Sequence, residues 1–96
     1  MELFIFGRFH VREGEEDMTF QALLEVSAAS RKEAGCAEIH GFRCTRDPRL
    51  FYIHSRWRSE EAFELHAGLP HTVRFIDKVA GLVDQPVEVT RAEMIA

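Results

Sequence analysis

Between Trp57 and Phe75 the chain leaves a strand, starts a helix, breaks at Gly68 to Pro70 and starts a second helix. No other stretch limits the fold as much. Ser59 is an N-cap candidate, and Glu60 and Glu61 put negative charge in the first turn, where the helix dipole favours it. Ala62, Phe63, His66 and Ala67 recur at helical spacing, so His66 shares a face with Phe63, away from Glu60, Glu61 and Glu64. Gly68 is placed to end this helix in a left-handed conformation, and Pro70 to open the next at its first position. His71 then lies in the first turn of the second helix, close to His66 in space. Two imidazoles on an apolar face suit proton transfer near neutral pH.

The flanking segments supply a sheet. Residues 2–12 alternate Leu3, Ile5, Gly7, Phe9 and Val11 with Glu2, Phe4, Phe6, Arg8 and His10, and aromatics on both sides imply cover on both faces. Gly14 breaks the strand, and Glu15, Glu16 and Asp17 open a helix with Phe20, Leu23, Leu24, Ser27 and Arg31 at helical spacing. That helix is expected to run about 20 residues, with Arg31 and Lys32 in its last turn and Gly35 closing it. Residues 36–46 return to strand, where Gly41 signals a bulge or a close approach. Asp47 and Pro48 signal a type I turn. Residues 50–57 form a third strand, with Phe51, Ile53, Ser55 and Trp57 on one face and Tyr52, His54 and Arg56 on the other. Val73, Ile76, Val79, Ala80 and Val83 are expected as the buried stripe of the last helix, before Pro86 and a final strand over 87–95.

The resulting order, β-α-β-β-α-β with its second helix in two pieces, is the α+β ferredoxin-like split βαβ arrangement. Helices cover one sheet face. The other keeps Phe4, Phe6 and Tyr52, too apolar for water, and a homodimer packed through its sheet faces is expected.

Ninety-six residues suit one domain, spanning 1–96. Hydrophobic residues at 46% and charged residues at 29% give a globular chain, and eight Phe imply a large apolar core, interface or ligand cavity. A net charge of −4, with scattered Lys and Arg, argues against nucleic acid. No apolar run approaches the roughly 20 residues of a membrane helix. The start lacks the basic region of a signal sequence, and Cys36 and Cys44 match no disulfide framework or zinc spacing. The expectation is a soluble, cytoplasmic protein.

Several short signatures occur in order: Gly14, the run Arg31 to Cys36, Asp47-Pro48, Trp57 to Phe63, His66, Pro70-His71, and Pro86-Val87-Glu88-Val89. On these the chain resembles the antibiotic biosynthesis monooxygenase family, including its quinol monooxygenases. The resemblance implies a dimeric α/β barrel. It also implies an oxygenase that needs no cofactor and acts on a quinol, phenolic or polyketide-like aromatic substrate. Relatives with the Trp and paired His often carry Glu two residues before the Trp, where this chain has Ser55. The haem-degrading members need an Asn on the first strand and a Trp at the position of His66, so haem degradation is not expected.

The expected catalytic residues are His66 and His71, one of them a base or a donor to a phenolic oxygen. Trp57, Phe63, Phe75 and Ser55 are expected around a small aromatic or hydrophobic ligand. The plainer alternative is that both histidines pack and hydrogen-bond at the helix break. No metal is expected, because the two histidines lie across a break and no third ligand is evident. No Gly-rich phosphate loop, haem triad or metal-ligand cluster points to a cofactor. Trp57 is expected to anchor the core, with a partner for its indole N–H. Arg8, His10, His54 and Arg56 belong at the surface or dimer interface. A non-catalytic dimeric module binding a small hydrophobic ligand, favoured by Ser55, and an isomerase of small carbonyl compounds are the competing functions.

Overall fold

In the computed structural model, which describes all 96 residues, a four-stranded antiparallel sheet carries its helices on one face. The elements run β1 (Leu3–His10), α1 (Glu16–Ser30), β2 (Cys36–Arg43), β3 (Leu50–Trp57), α2 (Glu60–Ala67), α3 (Pro70–Ala80) and β4 (Glu88–Ala92). Strand order is β2-β3-β1-β4, the α+β ferredoxin-like arrangement expected from the element order.

Strand alternation sets the two faces. β1 pairs with β3 from Leu3 opposite Trp57 at one end to His10 opposite Leu50 at the other. Ile5, Gly7 and Phe9 therefore share the helix-covered face with Ser55, Ile53 and Phe51. The core against the helices comprises Phe9, Val11, Ala22, Leu23, Val26, Phe51, Phe75, Val79 and Leu82. Phe9 and Phe75 meet edge to face at 5.7 Å. Each such large side chain contributes roughly 1.5–3 kcal/mol by leaving water. On the other face Phe6, Phe42 and Tyr52 are exposed in the single chain.

The local signals hold at several points. The Ser59 hydroxyl accepts from the Ala62 N–H, and Pro70 opens α3. The Leu50 N–H donates to the Asp47 carbonyl, closing the turn, and the Asp47 side chain accepts from the Arg49 N–H.

Five expectations are corrected. α1 ends at Ser30, so Arg31 and Lys32 lie beyond it. Its buried side is Thr19, Ala22, Leu23, Val26, Ser27 and Ser30, while Phe20 and Leu24 are exposed. Small residues let the helix lie close on the sheet, and the bulkier pair is left at its margin. α3 buries Thr72, Phe75 and Val79 rather than Val73 and Ile76. Its inner face is turned by about one residue, some 100°, because Phe75 and not Val73 fills the space beside Phe9. The bulge in β2 falls between Cys36 and Glu38. Gly41 pairs regularly with Ile53, and a methyl there would meet Leu23 at an ordinary 3.8 Å. Gly68 keeps a right-handed conformation at φ −95°, and the one left-handed residue is Gly14 at φ 91°.

Candidate functional site

The early end of α1 brings in a group that sequence reasoning missed. After Ser30 the chain tightens: the N–H groups of Lys32 and Glu33 donate to the carbonyls of Ala29 and Ser30. This turn brings Glu33 to the break between α2 and α3. Gly35 follows directly beneath α2, where an added Cβ would stand 2.5 Å from the Cβ of Ala62. Only glycine lets α2 settle at that depth, and the Gly35 carbonyl also accepts from the Arg58 N–H.

His66 and His71 converge on that carboxylate. His66 Nδ1 lies 2.8 Å, and His71 Nε2 2.7 Å, from the same Glu33 Oε2. The two rings are 6.0 Å apart, and the Thr72 hydroxyl approaches His66 Nδ1 at 3.3 Å. An ionised carboxylate only accepts, so the ring nitrogen facing it carries the proton in each case. The remaining nitrogens, Nε2 of His66 and Nδ1 of His71, are then acceptors in the neutral rings. Burial pushes the His66 pKa below its ordinary value, against the pull of Glu33.

Two aromatic residues close the other side of His66. Its ring lies 4.3 Å from that of Trp57 and 5.7 Å from that of Phe63. Trp57 is fully buried, and its indole N–H donates to the Ser55 hydroxyl at 2.9 Å. Ser55 is itself buried, so its hydroxyl holds the tryptophan rather than facing a ligand space. Phe75 lies apart from these rings, against Phe9. It lines, with His71, a groove of about 520 Å³ between α1 and α3 that Ala22, Val26, Ala29 and Arg74 also border. The fold thus joins His66, Trp57 and Phe63 in one cluster and opens on the groove through His71.

A third group of a kind that could ligate a metal, which the sequence did not reveal, stands beside the two histidines. Glu33, His66 and His71 hold their donor atoms within 4.8 Å of one another. A weak signal existed: Glu33 precedes by three residues the strand residue Cys36, which pairs with Trp57. Cys36 is half-buried, and burial followed by the nearby Glu33 charge pushes its thiol up, away from a reactive thiolate.

A second histidine cluster lies at the opposite end of β1. His10 belongs, from sequence alone, at the surface or interface, yet it is buried between two aspartates. Its Nδ1 meets Asp84 at 2.5 Å and its Nε2 meets Asp47 at 3.0 Å. The Asp84 hydrogen bond, with help from Asp47, raises its pKa above the ordinary value. Asp47 is lowered by the Arg49 N–H and then by His10; Asp84 is lowered first by His10. The cluster fastens the segment after α3 to the end of β1 and to the β2–β3 turn.

The model of the antibiotic biosynthesis monooxygenase family matches residues 3–78, which include Glu33, Trp57, Phe63, His66 and His71. Among solved structures, Rv0793 from Mycobacterium tuberculosis is similar at 23% identity and a TM-score of 0.94, over 100% of this chain and 97% of that one. PA3566 from Pseudomonas aeruginosa is similar at 26% identity and a TM-score of 0.90, over 99% and 95%. A protein described as an antibiotic biosynthesis monooxygenase aligns at 18% identity with a TM-score of 0.92, over 98% and 99%. No curated protein matches the chain significantly. No helix is long and apolar enough to cross a membrane.

Proposed function

The chain belongs to the antibiotic biosynthesis monooxygenase family, and from that premise we propose that it is a cofactor-independent monooxygenase of a quinol, phenolic or polyketide-like aromatic substrate. One observation carries the reading: a single half-buried carboxylate holds both histidines, at 2.7 and 2.8 Å. A carboxylate fixed on one ring nitrogen sets the tautomer and strengthens the other nitrogen as a base. His71 is the better placed base, because it borders the groove between α1 and α3. His66, stacked under Trp57, holds the other side of Glu33.

The chemistry needs no external reductant. His71 takes the phenolic proton, and the anion passes one electron to O₂. The resulting radical and superoxide combine at carbon, and the peroxide anion takes back the proton from His71 to give a hydroperoxide. Loss of water then leaves the quinone, so one O₂ gives one carbonyl oxygen and one water. Phe75 and the alanines of α1 offer the aromatic body an apolar wall.

Ser55 argued for a non-catalytic ligand-binding module, since it replaces a carboxylate. Glu33 restores a carboxylate to the histidines from another element and weakens that argument. The module is favoured by a different observation, that the ring nitrogens meeting Glu33 are already satisfied. Isomerisation of a small carbonyl compound would use the same base without O₂. The open sheet face, with Phe6, Phe42 and Tyr52 exposed, supports pairing with a second copy. Sedimentation equilibrium should then return twice 11.1 kDa.

An oxygen electrode with a naphthohydroquinone or an anthrone tests the function. Uptake of one O₂ per substrate is expected, with loss of uptake in folded His71→Ala and His66→Ala. A wild type without uptake, or variants that retain it, would remove the oxygenase assignment.

A further inference from the structure

Glu33 is in an unusual electrostatic position. Its side chain is 13% exposed, and its only ion-pair partners are the two imidazoles. No Arg or Lys neutralises it. With both rings neutral, the pocket keeps a nearly buried negative charge that only hydrogen bonds compensate, an arrangement that favours any cation able to enter.

We propose that Glu33, His66 and His71 form a binding site for a divalent first-row transition-metal ion of the zinc type. The donor set is two imidazole nitrogens and one carboxylate oxygen. It suits zinc, cobalt, nickel or iron, and not calcium or magnesium, which take oxygen ligands. The three donor atoms are already gathered within 4.8 Å. Zinc binds nitrogen and oxygen at about 2.0–2.2 Å, which in a tetrahedron sets donors roughly 3.3 Å apart. Oε2 stands at 2.7 and 2.8 Å from the two nitrogens. The carboxylate would therefore retreat by about half an ångström, and the two ring nitrogens, up to 4.8 Å apart, would draw in by as much as about 1.5 Å, while the ion replaces the two shared protons.

The ring protons would move to the outer nitrogens, so the ligands stay neutral imidazoles. Three protein ligands leave a coordination position for water. His66 is held by Trp57 and Phe63, whereas His71 is 20% exposed and gives the ion its way in.

This site does not rest on the oxygenase reading. An ion there would occupy the atoms that fix His71 as a base, so metal-bound and proton-transferring forms are alternative states of the same residues. Oxygen uptake is accordingly to be measured on chelator-treated protein, and metal binding on the same protein without substrate.

Tag-free protein titrated with Co(II) and with Zn(II), by visible absorption and calorimetry, gives the test. The expected result is one ion per chain, micromolar or tighter, with the strong ligand-field bands of four-coordinate cobalt. Glu33→Gln and His71→Gln should each weaken binding by about 100-fold, whereas His10→Gln, in the other cluster, should leave it unchanged. Should Glu33→Gln fail to fold, His71→Gln and the wild type still decide: zinc should raise the wild-type melting temperature progressively with its concentration. Absence of saturable binding below millimolar concentration would overturn the proposal. So would one-to-one binding that survives His71→Gln.

Discussion

The two ends of β1 carry the same chemical groups in inverse proportion, and they behave oppositely. At the Trp57 end two imidazoles share one carboxylate, Glu33; at the Leu50 end two carboxylates, Asp47 and Asp84, share one imidazole, His10. Burial wins at His66 and lowers its pKa, whereas the hydrogen bonds that His10 donates to the aspartates win there and raise it. The first arrangement leaves each ring a second nitrogen that Glu33 does not use, which is what a base or a metal ligand needs. The second keeps a cation between anions, which is what fastening two loops needs. Histidine in contact with a carboxylate is therefore no functional sign by itself: His10 and His66 are equally shielded from solvent, and the ratio of carboxylates to imidazoles decides.

Small side chains probe the two ends most severely. Gly35→Ala places a methyl 2.5 Å from the Ala62 Cβ and must push α2 outward. It should cost about 1–3 kcal/mol, as overpacking does, and carry His66 off Glu33. At the other end Gly81→Ala meets the Lys78 carbonyl at 3.5 Å, an ordinary contact, and should change stability far less. Urea denaturation of the pair measures the contrast, and equal costs would break it.

Ser55→Ala comes next. It strands the buried Trp57 N–H, and about 1–2 kcal/mol of stability should be lost. Ser55→Thr keeps a hydroxyl and should recover part of it in the same denaturation experiment.

pH offers a gentler contrast. His10 has a raised folded pKa, so its contribution is complete below its unfolded value of about 6.5 and is lost as pH rises through the raised value. Asp47 and Asp84 have lowered values, so theirs is present above about 3.9 and lost as pH falls through the lowered ones. The deficit of Asp84→Asn in melting temperature should therefore be largest between roughly pH 4 and 6.5 and shrink in alkali. A deficit independent of pH would mean that the ion pair is not what fastens the segment. His66 carries the opposite sign: with a lowered folded pKa, it withdraws stability as pH falls below about 6.5. Imidazole proton resonances of the metal-free protein should place His66 below, and His10 above, that value.

Local signals were legible in the sequence and distant ones were not. Ser59, Pro70 and Asp47-Pro48 act on their own backbone, so their roles follow from neighbours in the chain. His66 and His71 are close in sequence, and the helix break alone brings them together. Glu33 is 33 residues from His66, and its role depends on α1 ending at Ser30. Helix propensity across Arg31, Lys32 and Glu33 points the other way, because the tightened turn is set by packing of Gly35 under α2. His10 was hidden similarly: its place on the strand face opposite the core suggests exposure, and Asp84 and Asp47, 74 and 37 residues away, flank it. The helix stripes were misjudged by about one residue, because Val73 and Ile76 are as apolar as the residues that face inward.

Oxygen uptake by Glu33→Gln and Asp84→Asn, both confirmed folded by circular dichroism, tests most directly whether Glu33 turns the two histidines into a working base. Glu33→Gln keeps the shape and removes the charge. Its uptake with a hydroquinone or anthrone should fall by about 10²-fold or more, the usual contribution of a positioned base, while Asp84→Asn should retain the wild-type rate. A folded Glu33→Gln protein with undiminished uptake would contradict the assignment of Glu33, His66 and His71 to the chemistry.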